Sequence, residues 1–204
     1  MKINQIQIAK LRIPLIRPFI TALRRTEHVE DIVVIITTDN GLQGYGSAAS
    51  TPVITGDSQE SIIGALQILA TKLLGKELTN FEELLLLVQN SLVNNTSAKA
   101  AMDIALHDLV AKQLQVPLYK FLGGGKPELK ILTTVSVKDA AEMVEDAKLF
   151  VSQGFKTLKI RNYAANFSFR RSISLAELSA SEIFSRTAIS EASLFKADSY
   201  IVLS

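Results

Sequence analysis

The chain contains no cysteine. Disulfides, thiol nucleophiles and cysteine-ligated metals are therefore excluded. No apolar run approaches the roughly 20 residues that a bilayer-spanning helix needs. The opening stretch MKINQIQIAKLRIPL interrupts its apolar residues with Gln, Lys and Arg, and no continuous apolar segment follows, so it does not read as a signal peptide. Strong charge of either sign is also missing. Against 20 Asp and Glu there are 22 Lys and Arg, dispersed along the chain, which is weak support for nucleic-acid binding. These absences point to a cytoplasmic protein with neither nucleic acid nor membrane as a partner. One further absence is regional. After Arg161 there is no glycine and no proline, and serine becomes frequent.

What is present suits a globular protein. The 204 residues, 48% hydrophobic, are enough for one large domain or two small ones with a real core. Ile6, Ile8, Leu11, Ile13 and Leu15 sit mostly at alternate positions and predict a half-buried strand ending before Pro18. The β-branched run DIVVIITT, then Asp39-Asn40-Gly41, then a short second run predict a hairpin, because Asn and Gly tolerate the positive φ of a tight turn. Three helices follow. Asp57 and Glu60 have capping-box spacing ahead of Ile62, Ile63, Leu66, Leu69, Leu73 and Leu74, and Gly75 ends that run. TNFEELLLLVQNSL is the second helix. SAKAAMDIALHDLVAKQLQ is the third, with Ala98, Ala101 and Ala105 on one face where another backbone can approach closely. Up to Gly125 the pattern is an α+β domain.

Beyond Gly125 the pattern becomes strand, helix, strand. LKILTTVSV and FKTLKI flank a helix that Asp139 and Glu142 can cap and Gly154 can close. The two strands should be parallel. A sheet of this type should continue through several more units. The residues after 160 carry none of the turn chemistry that such a continuation needs.

The order and spacing of these stretches resemble the enolase superfamily, muconate-lactonizing (mandelate racemase-like) subgroup, and most of all its dipeptide epimerases of the L-Ala-D/L-Glu type. RPFITALRRTEHVEDIVVIITTDNGLQGYGSAASTPVITGDS is similar to the family's cap loop, hairpin and second specificity loop. AKAAMDIALHDLVAKQLQVPLYKFLGG is similar to the helix and turn leading into a barrel, TTVSV to the first barrel strand, and GFKTLKI to the second. The resemblance covers about residues 1–160. It implies an α+β cap over residues 1–125, the first βαβ of a TIM-like (β/α) barrel over 126–160, and a tail over 161–204 without family likeness, the barrel being truncated or scrambled after residue 160.

The implied reaction is abstraction of the α-proton of a dipeptide. Its enolate is stabilised by Mg²⁺ held on carboxylates, and lysines on either side of the α-carbon move the proton. A homo-oligomer acting on a small-molecule dipeptide is the implied state. Lys159 matches the first lysine of a Lys-x-Lys motif, with a solvated strand-end lysine as the bland reading. Arg161 stands in the place of the second lysine, the expected base. Arginine stays protonated and cannot readily remove an α-proton.

Thr134 matches a substrate-contacting position on the first barrel strand. Arg24 resembles a cap-loop residue that pairs with a substrate carboxylate, Arg25 competing with it. Ile54 and Thr55 match the loop that closes over substrate. His28 and His107 read as packing or surface residues, and Asp103 and Asp108 do not occupy the family's metal positions. The family's metal ligands lie on later barrel strands, so the chain offers none.

Two explanations of the tail stand side by side. A frame change near codon 161 would preserve everything upstream and scramble everything downstream. A divergent short protein that keeps the cap for binding would pair through an exposed sheet edge. Muconate cycloisomerase and o-succinylbenzoate synthase are neighbouring activities of the same fold. For the 204-residue chain itself no turnover is expected.

Overall fold

The computed structural model describes residues 1–20, 25–125, 131–136, 138–161 and 198–202. They fall into two compact units, Met1–Pro14 with His28–Pro127, and Leu15–Glu27 with Glu128–Ser204.

β1 (Ile3–Ile20), β2 (Arg25–Thr38) and β3 (Gln43–Ala49) form a sheet in the order β1-β2-β3. β2 and β3 are antiparallel, with Asp31 opposite Ala49 and Thr37 opposite Gln43. The expected turn closes them. Gly41 takes φ +83°, and its N–H donates to the Thr38 carbonyl at 2.9 Å. Thr38 is buried, and its hydroxyl is satisfied by Asn40 Oδ1 at 2.6 Å.

The first strand departs from expectation in two ways. It runs past Pro18 to Ile20, and its middle turns outward while its beginning meets the core of the first unit. Ile3 is buried and Ile6 and Ile8 pack partly against the core, whereas Leu11 and Ile13 are exposed. β1 is an edge strand, and an edge tolerates proline because outward N–H positions need no partner.

Helices α1 (Gln59–Leu73), α2 (Phe81–Asn90) and α3 (Thr96–Gln113), with the short α4 (Leu118–Phe121), complete the first unit. The cap of α1 is Ser58 rather than Asp57. Ser58 Oγ accepts from the Ser61 N–H at 3.2 Å, and Ser61 Oγ accepts from the Ser58 N–H at 3.0 Å. Ser58 is the residue with extended backbone immediately before the first helical turn, so its short side chain reaches the orphan N–H groups. Asp57, one residue earlier, instead accepts from Ser97 Oγ at 2.5 Å.

The core lies between the sheet and the helices. Ile32, Val34 and Ile36 alternate inward from β2 and meet Leu66, Leu69, Met102, Leu106 and Leu109. Each such fully buried side chain contributes roughly 1.5–3 kcal/mol. The small face of α3 does admit another backbone. A Cβ built on Gly46 of β3 would collide with the Ala101 carbonyl and lie 2.9 Å from the Ala105 nitrogen. One on Gly44 would lie 2.7 Å from Leu109 Cβ. Glycine on the strand and alanine on the helix are thus two halves of one contact. The free edge of β3 is covered by the same helix. Asp108 accepts from the Tyr45 N–H at 2.9 Å, and Lys112 donates to the Gln43 carbonyl at 2.9 Å.

In the second unit β4 (Leu132–Val135), α5 (Ala140–Ser152), β5 (Thr157–Arg161) and β6 (Asp198–Val202) build a sheet in the order β4-β5-β6. β4 and β5 are parallel, as the strand–helix–strand pattern predicts. Asp139 caps α5 by accepting from the Ala141 and Glu142 N–H groups at 3.0 and 3.1 Å. Gly154 follows the helix with φ +91°. β6 comes after the point at which the sequence reading ends the βα pattern, and it does not resume that pattern. It pairs with β5, but antiparallel, from Thr157 opposite Val202 to Arg161 opposite Asp198. Tyr200, Ile201 and Val202 are all strand-favouring residues, and turn-residue counting is blind to them. The other expectations about the tail fall outside the described residues.

Candidate functional site

β4 and β5 bring two of the sequence-predicted residues together. Their parallel register sets Thr134 directly beside Lys159. Side chains alternate across a sheet. Val135 and Leu158 are buried on one face, and α5, which packs against β4, carries the buried Met143 and Val144. Thr134 and Lys159 therefore share the opposite face and are half-buried. A hydroxyl and an ammonium side by side make a pair that can bind a carboxylate or a carbonyl oxygen. Arg161 follows two positions later on β5, opposite Asp198 in the antiparallel register.

The other candidates are distributed differently. Ile54 and Thr55 belong to the first unit, in a turn in which both N–H groups donate to the Thr51 carbonyl at 2.9 Å. Thr55 Oγ1 lies 3.1 Å from Thr51 Oγ1, so the two hydroxyls brace the turn. Ile54 remains 67% exposed. Arg24 lies outside the described residues. Arg25, its competitor, starts β2 and pairs with Glu27 at 2.9 Å. His107 packs edge-on against Phe81 with centroids 4.9 Å apart, and its Nδ1 sits 2.9 Å from Asp103 Oδ1. Asp103 and Asp108 are thus engaged in local structure.

Sequence reasoning passes over one charge cluster. Asp146 of α5 is flanked by Arg17 at 3.2 Å and Lys138 at 2.8 Å. No local signal announces it, because Arg17 and Asp146 are 129 residues apart. An open cleft of about 550 Å³ lies elsewhere, in the first unit, against Gln89, Asn94, Thr96, Lys99 and Asp103. None of the sequence-predicted site residues lines it.

The Mg²⁺ implied by the resemblance requires several converging oxygen ligands. Among the described residues no group of three or more His, Asp or Glu side chains stands close enough to hold a metal ion. The described residues do not fit the ion. Among them, too, no helix is long and apolar enough to cross a membrane.

An antiparallel sheet packed on three helices, then a parallel βαβ with a lysine on its second strand, defines the class: an enolase-type cap followed by the opening of a second, βα-built unit. The chain belongs to the mandelate racemase / muconate lactonizing enzyme family, whose N-terminal domain model matches residues 4–123. It is 46% identical over 162 residues to the L-Ala-D/L-Glu epimerase of Clostridium acetobutylicum, covering 79% of this chain and 45% of that relative. The solved substrate-liganded complex of the L-Ala-D/L-Glu epimerase from Bacillus subtilis shares the fold with a TM-score of 0.75 at 45% identity, over 78% of this chain and 45% of that one. A dipeptide epimerase from Methylococcus capsulatus, solved with Mg and the dipeptide L-Arg-D-Lys, gives a TM-score of 0.73 at 34% identity, over 78% and 46%. The chain spans less than half the length of these relatives.

Proposed function

We propose that the chain carries the substrate-facing cap and the first strands of a dipeptide epimerase, with a dipeptide of the L-Ala-L-Glu kind as its ligand. The observation that carries this reading is the 46% identity to an L-Ala-D/L-Glu epimerase over 162 residues, 79% of this chain. In this reading residues 1–125 are the cap and 126–160 the start of the barrel. Lys159 supplies positive charge beside the α-carbon, and Thr134 next to it orients the substrate carboxylate or amide. Ile54 and Thr55 close over the dipeptide side chain, and Arg24 or Arg25 pairs with its terminal carboxylate.

Proton transfer itself needs a base on the other side. Arg161 stands where a second lysine is expected, and a guanidinium does not give up its proton near neutral pH. No carboxylate cluster among the described residues stabilises an enolate. In this reading the 204-residue chain binds the dipeptide without turning it over, and a cytoplasmic location and a homo-oligomeric state belong to the same reading. The test is NMR of L-Ala-L-Glu in D₂O with the purified chain. Saturation transfer to the dipeptide, without loss of its α-proton signals, is the expected result. Absence of any transfer, with transfer instead to muconate or another cycloisomerase substrate, would sink the dipeptide reading. Exchange of the α-proton would overturn the silent state.

A further inference from the structure

We infer that Asp146 is a positioning residue, a charge clamp that seats the distal end of β1 on α5 within the second unit. Asp146 lies in the middle of α5, and its side chain is only 14% exposed. Carboxylates are rarely so covered unless paired. Both oxygens are engaged. Oδ1 accepts a hydrogen bond from Arg17 Nη1 at 3.2 Å, and Oδ2 lies 2.8 Å from Lys138 Nζ. The two cations do different work. Lys138 comes from the connection just before α5 and is local to the carboxylate. Arg17 comes from β1 and is the long-range partner.

An independent observation agrees with a docked strand end. Leu15–Glu27 groups with the second unit, although the rest of β1 and β2 belongs to the first. Removing Arg17 leaves Asp146 compensated by Lys138, so what is lost is the tie between strand and helix. Losing Arg17 should therefore free the strand end. Losing Lys138 should leave the strand–helix bridge in place.

The segment held this way includes Arg25, and the unit that holds it contains Thr134 and Lys159. The clamp thus keeps a candidate carboxylate-binding arginine in the unit that carries the candidate lysine. Only this purpose rests on the proposed epimerase reading, and the clamp itself does not.

Hydrogen exchange of the full 204-residue chain tests it. Asp146→Asn and Arg17→Met are expected to speed amide exchange in Leu15–Ile20 and Arg25–Glu27 by about fivefold, with α3 unchanged. Lys138→Met should give less than half of that effect, and Asp146→Glu should recover part of the protection. Unchanged exchange in Leu15–Ile20 for Arg17→Met would overturn the clamp. So would equal acceleration in Arg17→Met and Lys138→Met, which marks general loosening. Should Asp146→Asn unfold the unit, Arg17→Met at its largely exposed site carries the test alone. Titration with L-Ala-L-Glu separates the two readings. Release of the strand end by Arg17→Met in a chain that ignores the dipeptide supports the clamp and removes its proposed purpose.

Discussion

The two units are built from the same kinds of local signal but from very different depths of core. In the first, α3 lies between a sheet and two further helices. Met102, Leu106 and Leu109 lose essentially all contact with water there. In the second, the buried apolar residues among those described are Val135, Met143, Val144 and Leu158, from one helix and one short parallel pair. Both units have a side-chain-capped helix, α1 through Ser58 and α5 through Asp139, and a positive-φ glycine after it. The difference teaches that good local grammar specifies elements, while the number of layers packed around them sets how strongly they are held.

Substitutions can break or sharpen that contrast, and the largest effect should come from Gly46. Gly46→Val pushes a branched side chain into the Ala101 carbonyl, and the strand cannot move away without losing its ladder with β2. A loss of about 3 kcal/mol or more in urea unfolding is expected, felt throughout the first unit. Next come two deletions of identical chemistry. Leu106→Ala should cost about 3 kcal/mol and Leu158→Ala about 2 kcal/mol, since fewer layers surround the second site. Equal costs, read from denaturant melts, would erase the proposed difference in core depth.

Tyr200→Pro acts on the second unit alone. It disrupts the β5–β6 ladder, and amide exchange at Leu158–Ile160 should rise while α3 stays protected. Arg161→Lys restores the Lys-x-Lys spacing, yet the α-protons of L-Ala-L-Glu should still not exchange in D₂O, because no metal-holding cluster accompanies it among the described residues.

The smallest effect belongs to Glu60. Its hydrogen bond from Lys10, at 3.0 Å, holds its carboxyl below the ordinary glutamate range. A carboxyl that is more acidic when folded stabilises the fold above its unfolded pKa. That contribution disappears as pH falls through the folded value. Both groups are exposed, so the acid limb of a stability profile for Glu60→Gln should differ from the parent only marginally.

Much of the fold is legible because its signals are short-range. Asp39-Asn40-Gly41, Asp139 ahead of α5 and the glycines 75 and 154 act on their immediate neighbours, and each stands where expected. The alanine face of α3 was readable as a close-approach surface, but its partner was not. Nothing near Ala101 names Gly46. The cap of α1 lies one residue beyond the position that the spacing suggests, because serine and aspartate both accept from helix N–H groups and backbone geometry alone chooses between them. Of the candidate site, the Thr134–Lys159 pair follows from parallel register. The Arg17–Asp146–Lys138 cluster escaped because its spacing along the chain follows no helical or strand period.

The sequence by itself determined the α+β order of the first unit, the parallel strand–helix–strand of the second, the family to which the chain belongs, and the change in character at Arg161. Those rest on nearest-neighbour chemistry and on patterns that repeat every two or every 3.6 residues. Only the tertiary structure decided that a glycine strand nests on an alanine helix, that β6 returns antiparallel to β5, and that one carboxylate on α5 holds an arginine from β1. Each of these joins residues far apart in the chain. Chain connectivity carries no information about such pairs until packing brings them within a few ångströms.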